Sequence, residues 1–253
     1  MRRALRLTAR MAARMAALLA ALMAALLAAP ALAPAYAQTL GQAPASDLFA
    51  RAIAHPASKQ LYAFDFADQS GGDSLSFTRG RIDPSLPKGS RVTIYEATGK
   101  DYDAKKAKER YERNSSGDIW CDNLSYGADG PVAERSSADG TRIYTFTPVP
   151  KPNARDDERD LYRRLSAEMV VDAVTGQIRV FSAHLTKAWK PIFVAKVDTV
   201  QLRGECAVAP NGRLFTARLD TVMNGKVMGV GQSQSVKRVI THLVPVGTAV
   251  AGR

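Results

Sequence analysis

The chain holds few residues of the kinds that run reactions, and their spacing assembles no catalytic group. Cys121 and Cys206 are its only cysteines. No histidine or further cysteine stands at ligand spacing from either, so a disulfide is a better reading than a metal site. His55, His184 and His242 are far apart in sequence, and a lone histidine on a strand is usually a packed or surface residue. Paired carboxylates can do acid–base work. Asp65, Asp83, Asp172 and the Asp156-Asp157-Glu158 run, however, fall at turns or on a charged helix, where capping and solvation account for them. Ser136 and Ser137 have no base positioned beside them. Gly229-Val230-Gly231-Gln232-Ser233 matches neither a nucleophile elbow nor a dinucleotide loop. Its glycines lie in a hairpin, where a bulge or close packing explains them. The H-E-x-x-H and phosphate-loop signatures are missing. No catalytic residue, metal or cofactor is assigned, and the expectation is a non-enzyme.

The remaining chemistry is apolar. Tyr62, Phe64, Phe66, Phe77, Trp120, Phe146, Met169, Phe181 and Phe193 are the candidates to line a hydrophobic cavity, although each is equally good material for an ordinary core.

The elements that must position these residues are mostly strands. Ser46-Asp47 caps a short helix over Leu48–Ala54, and Pro56 ends it. Period-two alternation then marks strands over 59–67, 74–82, 91–97 and 141–147. The stretch DYDAKKAKERYER, 101–113, is strongly helical, with acids early and bases late as the helix dipole favours. A second charged helix covers about 156–163. Residues 164–185 form a hairpin about Ala173-Val174-Thr175-Gly176. Further strands at about 192–207, 213–223 and 226–243 are joined by Asn211-Gly212 and Asn224-Gly225, the strongest short hairpin signal. Leu165, Ala167, Met169 and Val171 mark one face of the 164–185 hairpin, with Phe181 and Leu185 added by its return strand, while Val170, Ile178 and Val180 mark the other. A sheet apolar on both faces must be covered on both. The expected fold is therefore α+β and mainly β, a strongly curved antiparallel sheet, an incomplete barrel, with a few covering helices.

The first 37 residues read as a secretory signal peptide. Five arginines precede or edge a short apolar run from Met15 to Ala29, and Ala35-Tyr36-Ala37 supplies small residues before the cleavage point. An uncleaved anchor is the rival, but the run is shorter than a membrane-spanning helix needs. The sequence after Arg2-Arg3 lacks the context of twin-arginine export, which favours general secretion. Cleavage after Ala37 places the protein in the periplasm, where a lone cysteine pair is readily bridged. It also lowers the formal charge from +11 to +6, too little to require nucleic acid. Residues 38–45 read as a linker, 46–246 as one β-rich domain and 247–253 as a flexible tail, with no transmembrane segment in the mature chain.

The cassettes "LYAFDFADQSGGDSLSFTRGRIDP", "DGTRIYTFTPVP" and "MVVDAVTGQIRVFSAHL", in this order after a short helix, resemble the lipoprotein-localisation fold of the LolA/LolB carriers and the RseB-type sensor. The likeness in texture spans most of 46–243. It implies an incomplete β-barrel closed by helices around an apolar cavity, and a soluble carrier of lipidated proteins, since no lipidation cysteine is present. No functional residue is carried over from the family. The expected function is a periplasmic carrier holding a hydrophobic ligand, a lipid or a lipoprotein acyl chain. The alternatives are an envelope protein-interaction or sensor module, with 101–113 as a charged handle, and an envelope hydrolase with an unrecognised site.

Overall fold

The computed structural model describes residues 47–54, 60–72, 74–99, 103–113, 115 and 119–248. The segments read as signal peptide and linker lie outside them, as does Ser46.

Among the described residues eleven strands form one antiparallel sheet. They are β1 (Gln60–Gly71), β2 (Ser76–Ile82), β3 (Val92–Gly99), β4 (Ala128–Ser136), β5 (Thr141–Pro148), β6 (Leu165–Asp172), β7 (Ile178–Leu185), β8 (Trp189–Ile192), β9 (Ala195–Val208), β10 (Leu214–Val227) and β11 (Val230–Thr248). The order is β3-β2-β1-β11-β10-β9-β7-β6-β5-β4, with β8 paired to β9 outside that path. Neighbours in the order are mostly neighbours in sequence, as in a meander. The exceptions are β7 beside β9, with the short β8 between them in sequence, and β1 beside β11, which joins the first strand to the last. The edges β3 and β4 do not pair, so the sheet is open and curved. Among the described residues three α-helices accompany it: α1 (Asp47–Ala52), α2 (Ala104–Arg113) and α3 (Asp156–Tyr162), together with a 3-10 turn at Cys121–Leu124.

The register decides what each face carries. Tyr144, Met169, Phe181, Gly204, Leu219, Arg238, Asp68 and Thr78 are successive partners across eight strands. This row faces the helices, and the neighbouring inward rows hold Phe146, Ala167, Phe64 and Phe66. The alternate row runs Thr145, Glu168, Ser182, Arg203, Asp220, Lys237, Gln69 and Phe77. It carries the exposed ion pairs Arg135–Glu168, Arg203–Glu205 and Arg218–Asp220. Only one face is apolar, which corrects the expectation of a sheet oily on both sides. The misleading residue was Ile178. Val170 pairs with Val180, but Val171 pairs with Ile178, so a bulge at Arg179 shifts the alternation by one and turns Ile178 inward. Val170 and Val180 remain half-buried on the outer face.

Two strands had no sequence signal, and both contain proline. Pro131 lies in edge strand β4, within the register shift between Asp129 and Ala133. Pro191 lies in the short β8. Edges and bulges are where a sheet tolerates a residue without an N–H. One turn also moves. The last hairpin closes at Met228-Gly229, where φ is 51° and 81° as a type I′ turn requires. Asn224-Gly225 lies inside β10 at a register shift, and a Cβ on Gly225 would sit 2.3 Å from the Lys196 carbonyl oxygen. That glycine serves close strand approach rather than reversal. Asn211-Gly212 does form the β9–β10 turn, with Gly212 at φ 80°. Strand β11 continues through Thr248, two residues into the expected tail.

Candidate functional site: the helix-covered apolar face

The inner face divides into three packed groups, each beneath one helix. Helix α1 inserts Phe49 between Tyr144 and Phe146, with ring centroids 5.2 and 5.0 Å away, over Met169, Val171, Ile178 and Phe181. Helix α2 sets Tyr111 against Phe66 at 4.5 Å, in a group with Tyr62, Phe64, Trp120 and Ile240. Helix α3 adds Leu161 and Tyr162 to Leu165, Trp189, Val197, Val200 and Met223.

Of the nine residues expected to line a cavity, Phe146, Met169 and Phe181 meet under α1, and Tyr62, Phe64, Phe66 and Trp120 meet under and beside α2. Phe77 is not among them: it is half-buried on the outer face, because Thr78, Gly80 and Ile82 take the inward positions of β2. Phe193 is 97 % exposed in the β8–β9 turn.

Cys121 and Cys206 are bonded, with Cα atoms 6.2 Å apart, and tie the 3-10 turn to β9. Beside the bridge, Arg213 donates to both oxygens of Asp122 at 2.8 and 2.7 Å and lies 4.3 Å over the Trp120 ring. This end of the sheet is covalently and electrostatically locked.

Under α2 the apolar group encloses one charged set. Asp68 is buried, and its oxygens accept from Arg238 Nε at 2.8 Å, Arg238 Nη2 at 2.6 Å and the Tyr111 hydroxyl at 2.6 Å. Burial, followed by the adjacent Asp68 charge, pushes the Tyr111 hydroxyl above its ordinary range, so it stays a donor. Burial alone would lower the Arg238 pKa; Asp68 reverses this and holds it raised. Helix α2 is also pinned at its end, where the buried Glu112 carboxylate accepts the backbone N–H groups of Gly89 and Val92, both at 2.9 Å.

The packing is incomplete under α3. A void of about 20 Å³ is lined by Leu161 and Tyr162 of the helix, by Leu124 and Pro148, and by Leu165, Phe181, Ala183, Val200 and Leu202 of the sheet. That is room for roughly one water, in walls that offer water no partners. Pockets that bury a drug-sized ligand measure roughly 300–1,000 Å³. In this conformation the slot is too small for such a ligand.

Helix α3 is held on the sheet by Leu161 and Tyr162 and by a cross-element hydrogen bond, in which Asp160 accepts from Trp189 Nε1 at 2.7 Å. Locally, Asp160 pairs with Arg164 at 3.1 Å, and Arg159 donates to the carbonyls of Ala154 and Pro152 at 2.9 and 2.8 Å. The Arg164 hydrogen bond, helped by Trp189, holds the Asp160 carboxyl below its ordinary range. With seven residues the helix is far shorter than one that persists alone.

Leu161, Tyr162, Val200 and Leu202 were missed as candidates. The charged run at the start of α3 concealed its inner face, although Glu158, Leu161 and Tyr162 keep the i, i+3, i+4 spacing of a buried stripe. No family model, curated protein or solved structure matches the chain. Among the described residues no helix is long and apolar enough to cross a membrane.

Proposed function

We propose that this is an exported binding protein that takes a hydrophobic group, an acyl chain or the lipid of a lipidated protein, into the slot between α3 and the sheet. The observation carrying this reading is the apolar, incompletely filled space beneath a seven-residue helix, which Leu161, Tyr162 and the Asp160–Trp189 hydrogen bond hold on the sheet. Helix α3 is the lid, since an acyl tail needs far more room than the closed void gives. The disulfide fits the oxidising compartment to which the N-terminal 37 residues direct the chain. The likeness of the strand cassettes to the lipoprotein-localisation fold points the same way.

The test is uptake of a fluorescent fatty acid, with native mass spectrometry of protein purified from the envelope. The slot-filling variant Ala183→Val should fold normally and take up less. Lipid-free protein from the envelope together with no uptake by wild type refutes the reading, as does undiminished uptake by Ala183→Val.

The smallness of the void favours a second reading, a protein-binding or sensor module. Lys105, Lys106 and Lys108 are exposed along α2. If this reading holds, their reversal to glutamate abolishes capture of an envelope partner and leaves fatty-acid uptake unaltered.

A further inference from the structure

Two hairpin tips meet at one end of the sheet. Ile192 pairs with Ala195 across the Phe193-Val194 turn, and Val227, the partner of Ala195 on β10, pairs with Val230 across Met228-Gly229. The Met228 N–H donates to the Val194 carbonyl at 2.7 Å, joining the turns. Phe193 is 97 % exposed, Val230 62 %, Met228 58 % and Ile192 46 %. Single exposed apolar residues are ordinary, but four on two hydrogen-bonded turns form a contiguous patch. Met228 holds φ at 51°, a conformation that an unbranched side chain adopts at some cost and that asparagine or glycine adopts more readily.

The surrounding charge is one-sided. Residues 186–198 and 224–232 contain Lys187, Lys190, Lys196 and Lys226 against a single acid, Asp198. Lys196 pairs with that acid, while Lys187, Lys190 and Lys226 are exposed. An aromatic and three aliphatic side chains at a tip, ringed by lysines, match a surface with an oily interior and negative headgroups.

We propose that the Phe193–Met228 tip docks the protein on anionic phospholipid bilayers. Phe193, Ile192, Met228 and Val230 enter the boundary between headgroups and acyl chains, and the lysines contact phosphates. The tip is solvent-facing, apart from the slot under α3, and its docking requires no cargo.

The experiment is co-sedimentation of the exported chain with vesicles of phosphatidylcholine alone or with about a third phosphatidylglycerol, at low and high salt. Wild type should sediment with the anionic vesicles and be released by salt. Phe193→Ser with Met228→Ser should bind about tenfold more weakly or worse, and Lys187→Glu with Lys190→Glu and Lys226→Glu should lose the preference for anionic lipid. Every altered side chain is exposed, and thermal melting verifies the fold. Phe193→Trp should shift its emission to the blue on adding anionic vesicles. Equal binding by the serine variant, no preference for anionic lipid, or an unmoved tryptophan spectrum overturns the proposal. A wild-type oligomer that the serine variant dissociates, without vesicle binding by either, overturns it in favour of a second copy as the occupant.

Discussion

The charged set beneath α2 gives the sharpest test of what holds that helix on the sheet. Replacing Arg238 with Met keeps most of the side-chain volume and removes the cation, leaving the Asp68 carboxylate, with a side chain only 5 % exposed, facing Phe66 and Tyr111. Breaking a buried pair on one side costs about 3–5 kcal/mol. The Arg238 side chain retains 23 % exposure, which places the cost near about 3 kcal/mol. Tyr111→Phe removes one donor while the guanidinium remains, at about 1–2 kcal/mol. The double change Asp68→Leu with Arg238→Met removes both charges, and its stability should lie within about 1 kcal/mol of wild type. Urea denaturation of wild type, Tyr111→Phe, Arg238→Met, Asp68→Leu and the double variant reads these values, and the cycle over the Asp68 and Arg238 changes should return a coupling of at least about 2 kcal/mol. Additive single effects would mean that water reaches Asp68 and that the apolar packing and the Glu112 contacts hold α2 without help from the charged set.

Removing the disulfide by Cys121→Ser with Cys206→Ser frees a closure of 85 residues and should cost about 4.5 kcal/mol in the chain-entropy model, read as a lower denaturation midpoint; a cost under about 1 kcal/mol would show the unfolded chain already constrained. Asp172 accepts the Thr175 N–H and pairs with Arg179, which lowers its pKa to about 2 from 3.8. Its contribution is therefore complete above pH 3.8 and is lost as pH falls toward 2, and an NMR titration showing an ordinary midpoint would contradict the turn geometry. Gly225→Ala should destabilise by about 2 kcal/mol because its Cβ meets the Lys196 carbonyl, whereas Gly231→Ala, with open space around it, should cost under about 0.5 kcal/mol in the same melt. Backbone amides of α3 should exchange with deuterium faster than those of β9 around Cys206; equal protection would remove α3 as the lid.

The alternation of Tyr62, Phe64 and Phe66, and of Leu165 to Val171, was legible because one face of an antiparallel sheet must be apolar, and the structure buries those side chains together. Bulges were not legible. The Arg179 bulge reverses the facing of Ile178 without changing a residue type, and the shift beside Gly225 turns a hairpin signal into strand interior. Pro131 and Pro191 each lie in a strand with no signal of its own, and only the partner strand places each at an edge or a bulge. Side-chain pattern reports a face; register depends on the neighbouring strand, which a single segment does not name. The slot was hidden for a related reason: Leu161 and Tyr162 close a helix that begins Asp-Asp-Glu-Arg-Asp, and only its contact with Trp189 and Val200 reveals which side is inward.

The two ends of the sheet differ in how they are held. Around Cys206, a covalent bond and the Arg213–Asp122 pair fix the 3-10 turn against β9 and β10. Around Val197, nine residues and about 30 Å along the same strand, a short helix reached through the Pro148–Pro152 link is held by Leu161, Tyr162 and the Asp160–Trp189 hydrogen bond, with no covalent tie. The Phe193–Met228 tip projects from this end. Trp189 belongs to both: its indole N–H latches α3, and three residues later β8 delivers Ile192 to the tip. On the two proposals made above, a bilayer that draws Ile192 and Phe193 inward pulls on the strand carrying the α3 latch, so docking and lid opening share one lever. Trp189→Phe, which keeps the ring and deletes the donor, separates them: it should ease uptake in solution while leaving vesicle binding unchanged.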